Sequence, residues 1–152
     1  MCKPKKIHLM TAKHVPRYLC GTIGFGLKYK NVEINLEGYT DSDWVGCSIN
    51  RKSTSGYCFN LGSTIISWCS RKQSTIALSS TKAKYLVASM GAREAVWLRK
   101  ILFGLFGKKL DSTLIHCDNQ SCIKLSANPV FRNRSKHIET PFTTSETWLI
   151  EM

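Results

Sequence analysis

The spacing of apolar residues changes once along this chain, near residue 80, and that change leaves few folds open. Before it, Val32, Ile34 and Leu36 alternate with Glu33 and Asn35 and run on into Tyr39-Thr40-Asp41-Ser42-Asp43-Trp44, a strand signal of period two. A polar stretch from Asn50 to Gly56 separates it from Tyr57–Leu61, and Gly62-Ser63 turns the chain into a third run, Thr64–Cys69. From Ser80 to Phe106 the spacing becomes three and four, through Ala83, Val87, Met90, Glu94, Trp97, Leu98, Ile101 and Leu105, which is one long helix stopped at Gly104 or Gly107. A short apolar run, Thr113–Cys117, and a helix from Asn119 to about Ser126, ended by Asn128-Pro129, follow. Strands joined by tight turns pair antiparallel, whereas a strand reached through a long helix lies parallel to an earlier one with a right-handed crossover. The expected class is α/β: a three-stranded antiparallel meander plus a parallel fourth strand, with flanking helices.

At 152 residues the chain is long enough for one core. Residues 1–31 carry seven Lys or Arg and no carboxylate; they hold a short helix around Thr11–Leu19, broken at Pro16, and a glycine-rich stretch from Gly21 to Gly26. They are read as a basic connector, 32–139 as the folded domain and 140–152 as a divergent tail without clear periodicity. No run of about 18 apolar residues is present and the N-terminus lacks the apolar stretch of a secretory signal, so an intracellular protein of cytoplasm or nucleus is expected. Seven cysteines without a C-x-x-C pair fit buried reduced thiols better than disulfides or zinc. The net charge of +12 and pI near 9.6 point to a polyanionic partner, nucleic acid first, with a solvated basic tail as the alternative.

Two carboxylates stand out in this topology. Asp41 lies mid-way along the first strand and Asp118 at the carboxyl end of the fourth. Parallel neighbours bring both to one edge, where paired carboxylates hold divalent cations. The plainer alternative makes Asp118 the N-cap of the helix it precedes.

Gly38-Tyr-Thr-Asp-Ser-Asp-Trp-Val-Gly46, Arg51-Lys-Ser-Thr-Ser-Gly-Tyr57, Ile66-Ser-Trp-Cys-Ser-Arg-Lys-Gln73, Ala77-Leu-Ser-Ser-Thr81, Glu94-Ala-Val-Trp-Leu-Arg99, Cys117-Asp-Asn-Gln-Ser121, Asn128-Pro-Val-Phe131 and Ser135-Lys-His-Ile138 form an ordered series. Over residues 36–139 it resembles the ribonuclease H domain of copia-type LTR retrotransposon Pol polyproteins. Ala12–Thr22 followed by Phe25–Tyr29 is similar to the stretch that joins reverse transcriptase to that domain. The resemblance implies a ribonuclease H-like fold, here without its final strand and helix. It also implies hydrolysis of the RNA strand of RNA·DNA hybrids by two Mg²⁺ ions held by four carboxylates. By motif position Asp41 matches the first and Asp118 the third, while Asp43 matches a residue read as a loop partner and not a ligand. The second should be a Glu in a pattern like Thr-Glu-Ala-Glu-Tyr, but the residues here are Thr81-Lys-Ala-Lys-Tyr85, so Lys84 stands in its place. The fourth, in a downstream Ala-Asp motif, has no counterpart.

The helical wheel puts Lys84 with Val87, Ala88, Gly91, Ala95 and Leu98 on the side that meets the sheet, and Lys82 with Ser89 and Arg93 on the solvent side. Lys84 is therefore expected to pair with Asp41 and Asp118 as an internal salt bridge, with Mg²⁺ weakly held or lost and catalysis impaired. Arg51, Lys52, Arg71, Lys72, Arg132, Arg134 and Lys136 are the expected phosphate contacts. Trp44 and Trp68 are aromatic candidates beside them, though the core is their expected place. Three readings stay open: an active endonuclease, a non-catalytic nucleic-acid-binding copy, and an unselected transposon remnant.

Overall fold

The computed structural model describes residues 4–30, 35–46, 50–107 and 109–127, together with the backbone of 148–151. Its elements in chain order are α1 (Lys6–Gly21), β1 (Leu36–Asp43), β2 (Thr54–Leu61), β3 (Thr64–Lys72), α2 (Ser80–Phe106), β4 (Thr113–Cys117), α3 (Gln120–Ala127) and β5 (Trp148–Glu151). One sheet runs β3-β2-β1-β4-β5, with β2 antiparallel to both of its neighbours, β1 and β3, and β4 parallel to β1. The meander, the long helix and the parallel fourth strand stand as the periodicities predict.

The local causes are visible at the turns and caps. Gly62 takes φ +60° in the two-residue connection of β2 to β3, a conformation an L side chain resists. Ser79 caps α2 by accepting the Lys82 N–H, and Gly107 closes the helix in the left-handed region at φ +64°.

α2 lies across one face of the sheet. Leu36 and Phe59 from the strands, Ile115 from β4, and Ala92, Ala95, Leu98 and Leu102 from α2 form the main core. Tyr85, Ala88, Cys117 and Cys122 form a second cluster under α3. Two glycines permit the close approach: a Cβ on Gly38 would meet the Phe59 ring at 2.5 Å, and one on Gly91 would meet Thr40 Cγ2 at 2.9 Å.

The structure corrects the sequence reading in several places. A fifth strand, β5, pairs parallel with β4 in the register Thr113↔Trp148 to His116↔Glu151, where no final strand was expected. Four residues after a polar, proline-containing stretch are too few to show a period, and the pairing is decided by the open edge of β4. α1 runs through Pro16 instead of breaking there, at the cost of one helical hydrogen bond, and none of its residues is buried. β3 extends three residues past Cys69. Among the cysteines, Cys117 and Cys122 are buried free thiols as expected, but Cys20 is exposed and Cys58 and Cys69 only half-buried. Among the described residues no helix is long and apolar enough to cross a membrane.

Candidate functional site

The parallel register between β1 and β4 ends with Thr40 opposite Cys117, so Asp41 and Asp118 are the next residues along the two strands. Asp118 is not the cap of α3. Asn119 does that work, its Oδ1 accepting the Cys122 N–H at 2.8 Å and its carbonyl the Ile123 N–H. The Asp118 carboxylate is thereby left to face Lys84, which α2 delivers one turn after its Ser79 cap.

Lys84 Nζ donates to both oxygens of Asp118 and to Asp41 Oδ1, the last at 3.2 Å. Asp41 Oδ1 also accepts the Ser42 N–H at 2.7 Å. The lysine side chain is 14% exposed, but those of Asp41 and Asp118 are 78% and 67% exposed, so a mostly buried lysine underlies two wetted carboxylates. Burial alone would lower the Lys84 pKa, but its hydrogen bonds to Asp118 and then Asp41, with their charges, outweigh it and hold the ammonium above the usual 10.5.

This arrangement does not fit a divalent cation. Asp41 and Asp118 are a cation's donors, but the ammonium already satisfies their facing oxygens, and a metal beside it would meet like charge. Among the described residues no group of three or more His, Cys, Asp or Glu is placed to hold a metal.

The surroundings fix these groups in place. Thr40 Oγ1 donates to the His116 carbonyl at 3.2 Å, locking β1 to β4 one step before the acids. Buried Gln73 donates through Nε2 to Ser55 Oγ at 2.9 Å and to the Ala83 carbonyl at 3.0 Å, tying β2 to the residue before Lys84. Asp43 is turned to its own loop: a Cβ at Gly46 would stand 1.9 Å from its Oδ2. Next to Asp118, the Cys117 thiol is lowered by its hydrogen bond with Cys122, whose own thiol is raised by the same bond and by burial.

Of the basic residues, Arg51, Lys52, Arg71 and Lys72 converge. Thr54 pairs with Lys72 and Ser55 with Arg71, so the β1–β2 loop and the end of β3 lie at the sheet end that carries Asp41 and Asp43. Arg132, Arg134 and Lys136 lie outside the described residues. Both tryptophans depart from the core placement: Trp68 is 74% and Trp44 49% exposed, the latter donating from Nε1 to the Ala77 carbonyl at 3.2 Å. Trp68 alternates onto the face of the sheet that α2 does not cover, as does Tyr39, which stacks on His116 with ring centroids 4.7 Å apart.

No family model matches the chain. It is 39% identical over 151 residues, 98% of its length, to the retrovirus-related Pol polyprotein from transposon TNT 1-94 of Nicotiana tabacum. To that from transposon RE1 of Arabidopsis thaliana it is 38% identical over 91% of its length. Its fold resembles that of LC11-RNase H1, isolated from compost by a metagenomic approach, with a TM-score of 0.51 over 78% of this chain and 84% of that one at 11% identity. The chain belongs to the copia-type retrotransposon Pol family. It spans about a tenth of the length of these two polyproteins, and the part it represents is the ribonuclease H-like domain.

Within this copia-type domain, sequence reasoning brought Asp41, Lys84 and Asp118 together correctly but missed three residues. Ser89, placed on the solvent side by the wheel, is buried at 5% exposure. It lines a cavity with Arg93 and Gln73. Only the i, i+4 spacing of Ser89 and Arg93 signalled that they share a side, and nothing in the sequence said that a cavity would open beside it.

Proposed function

We propose that this copia-type ribonuclease H-like domain is a non-catalytic nucleic-acid-binding module in which Lys84 stands where a family member would hold its metal. The observation that carries the reading is the Lys84 ammonium, hydrogen-bonded to both oxygens of Asp118 and to Asp41 Oδ1. Two-metal hydrolysis needs cations that activate water and stabilise the leaving oxygen. A fixed ammonium neutralises the same carboxylates yet offers no open coordination position. The ancestral chemistry, metal-dependent hydrolysis of the RNA strand of an RNA·DNA hybrid, is thereby impaired, while residues 32–139 keep the domain and 1–31 lead into it as a basic connector.

Binding depends on distributed charge and outlasts the loss of a ligand set. The chain carries +12, and Arg51, Lys52, Arg71 and Lys72 share the sheet end beside Asp41. Each phosphate neutralised releases counterions, so affinity falls as salt rises.

The test is a hybrid-cleavage assay in Mg²⁺ and in Mn²⁺ with binding followed in parallel. The expected result is salt-sensitive binding without cleavage. Cleavage by the unaltered chain at millimolar metal overturns the non-catalytic reading, and affinity that is indifferent to salt overturns the binding one.

A further inference from the structure

A cavity of about 370 Å³ opens between the end of β3 and the side of α2, away from the Asp41–Lys84–Asp118 cluster. Arg71 and Lys72 line it from β3, and Arg93 lines it from α2. No carboxylate is among its lining residues. Neither Arg71 nor Arg93 is in an ion pair among the described residues. At its wall lie two buried hydroxyls, Ser55 at 1% and Ser89 at 5% exposure. Ser55 Oγ accepts from Gln73 Nε2 at 2.9 Å, which orients the hydroxyl with its own proton to give.

We propose that this cavity binds a backbone phosphate of a nucleic-acid strand. Guanidinium groups meet phosphate oxygens through paired, charge-assisted hydrogen bonds, and hydroxyl donors take the oxygens that remain. The location suits a strand that also passes the acid cluster. Ser42, next to Asp41, pairs with Ser55, and Ser55 with Arg71; two strand spacings of about 4.8 Å put the Arg71 backbone about 10 Å away. At about 3.4 Å of rise per nucleotide, that is roughly three nucleotides along one strand. The inference rests on the nucleic-acid-binding reading above and gives it a discrete contact.

Two measurements test it separately. In the first, inorganic phosphate is titrated into the ¹⁵N-labelled chain. Amide shifts are expected to concentrate on residues 71–75 and 89–93 and to vanish in the Arg71→Ala/Arg93→Ala double variant, both positions being exposed and replaceable without loss of the fold. Shifts that are absent, or spread evenly over the basic surface, overturn the proposal. In the second, a labelled RNA·DNA hybrid is bound across a salt series by that variant and by a control of equal charge, Lys13→Ala/Arg17→Ala on α1. The pocket variant is expected to weaken binding about tenfold and flatten the log–log salt slope by about 1 for the phosphate lost, the control much less. Equal weakening by both variants overturns the proposal in favour of diffuse charge. If the unaltered chain binds no hybrid at all, the nucleic-acid reading fails and the backbone source with it; localised phosphate shifts would then mark a site for free phosphate.

Discussion

One ammonium, that of Lys84, stands between two carboxylates. Lys84 is mostly buried, yet its partners are mostly in water, so the pair contributes little stability. Lys84→Met, which keeps the apolar stem and removes the charge, is expected to cost about 1 kcal/mol or less in urea unfolding. The sign of its pH dependence follows from the raised pKa of Lys84. A group whose folded value lies above its unfolded value stabilises fully below the unfolded one and loses that contribution as pH rises through the folded one. The difference in stability between the unaltered chain and Lys84→Met should therefore stay level up to about pH 10 and disappear above it. A difference that vanished between pH 7 and pH 9 would show that the ammonium is not the paired group.

At the scale of elements, the site exists because α2 can lie close to β1, and Gly91 is the reason. A Cβ there would meet Thr40 Cγ2 at 2.9 Å, and Thr40 is buried and bonded to the His116 carbonyl, so it has little room to retreat. Gly91→Ala is expected to cost about 1–3 kcal/mol despite the better helix propensity of alanine. A stabilised variant in thermal unfolding would contradict the close approach. Much at this scale was legible in advance. The change of period from two to three-and-a-half gave the meander, and of the two glycines that could end α2, 104 and 107, the second does. The side of α2 that holds Lys84, Val87, Ala88 and Gly91 followed from the wheel. Other features were not legible, for physical reasons. β5 is four residues whose assignment depends on a partner edge, and Asn119 and Asp118 are equally good caps until the backbone selects one. A wheel assumes one contact face, whereas the side of α2 that holds Ser89 and Arg93 borders a cavity shared with the end of β3, and Ser89 is buried at its wall. The exposed Trp68 escaped because residue type suggests the core, while which face of the sheet stays uncovered is a property of the whole fold.

At the scale of the molecule, the described structure is a packed body made by the sheet, α2 and α3, plus a helix, α1, with no buried residue. Sixteen residues with an interior proline and no packing are marginal as a helix in water. Amide hydrogen exchange should therefore find α1 exchanging orders of magnitude faster than Phe59, Val87 and Ile115, which are fully buried. Equal protection in α1 would mean that it packs on a surface. Just after it, the chain is tied to the edge strand: Tyr29 Oη donates to the Ile65 carbonyl at 3.1 Å, and Thr64 Oγ1 to the Lys28 carbonyl at 2.9 Å. Residues 28 and 29 thus meet the sheet at β3, the strand that also carries Arg71 and Lys72.

Whether Lys84 replaces a bound cation is read by Mn²⁺ calorimetry on the unaltered chain beside Lys84→Glu. No binding heat is expected from the unaltered chain at millimolar Mn²⁺, and a measurable isotherm from Lys84→Glu, whose new carboxylate would join Asp41 and Asp118 as a third ligand. Equal Mn²⁺ affinity in the two proteins would contradict the replacement, because a cation would then bind with the ammonium in place.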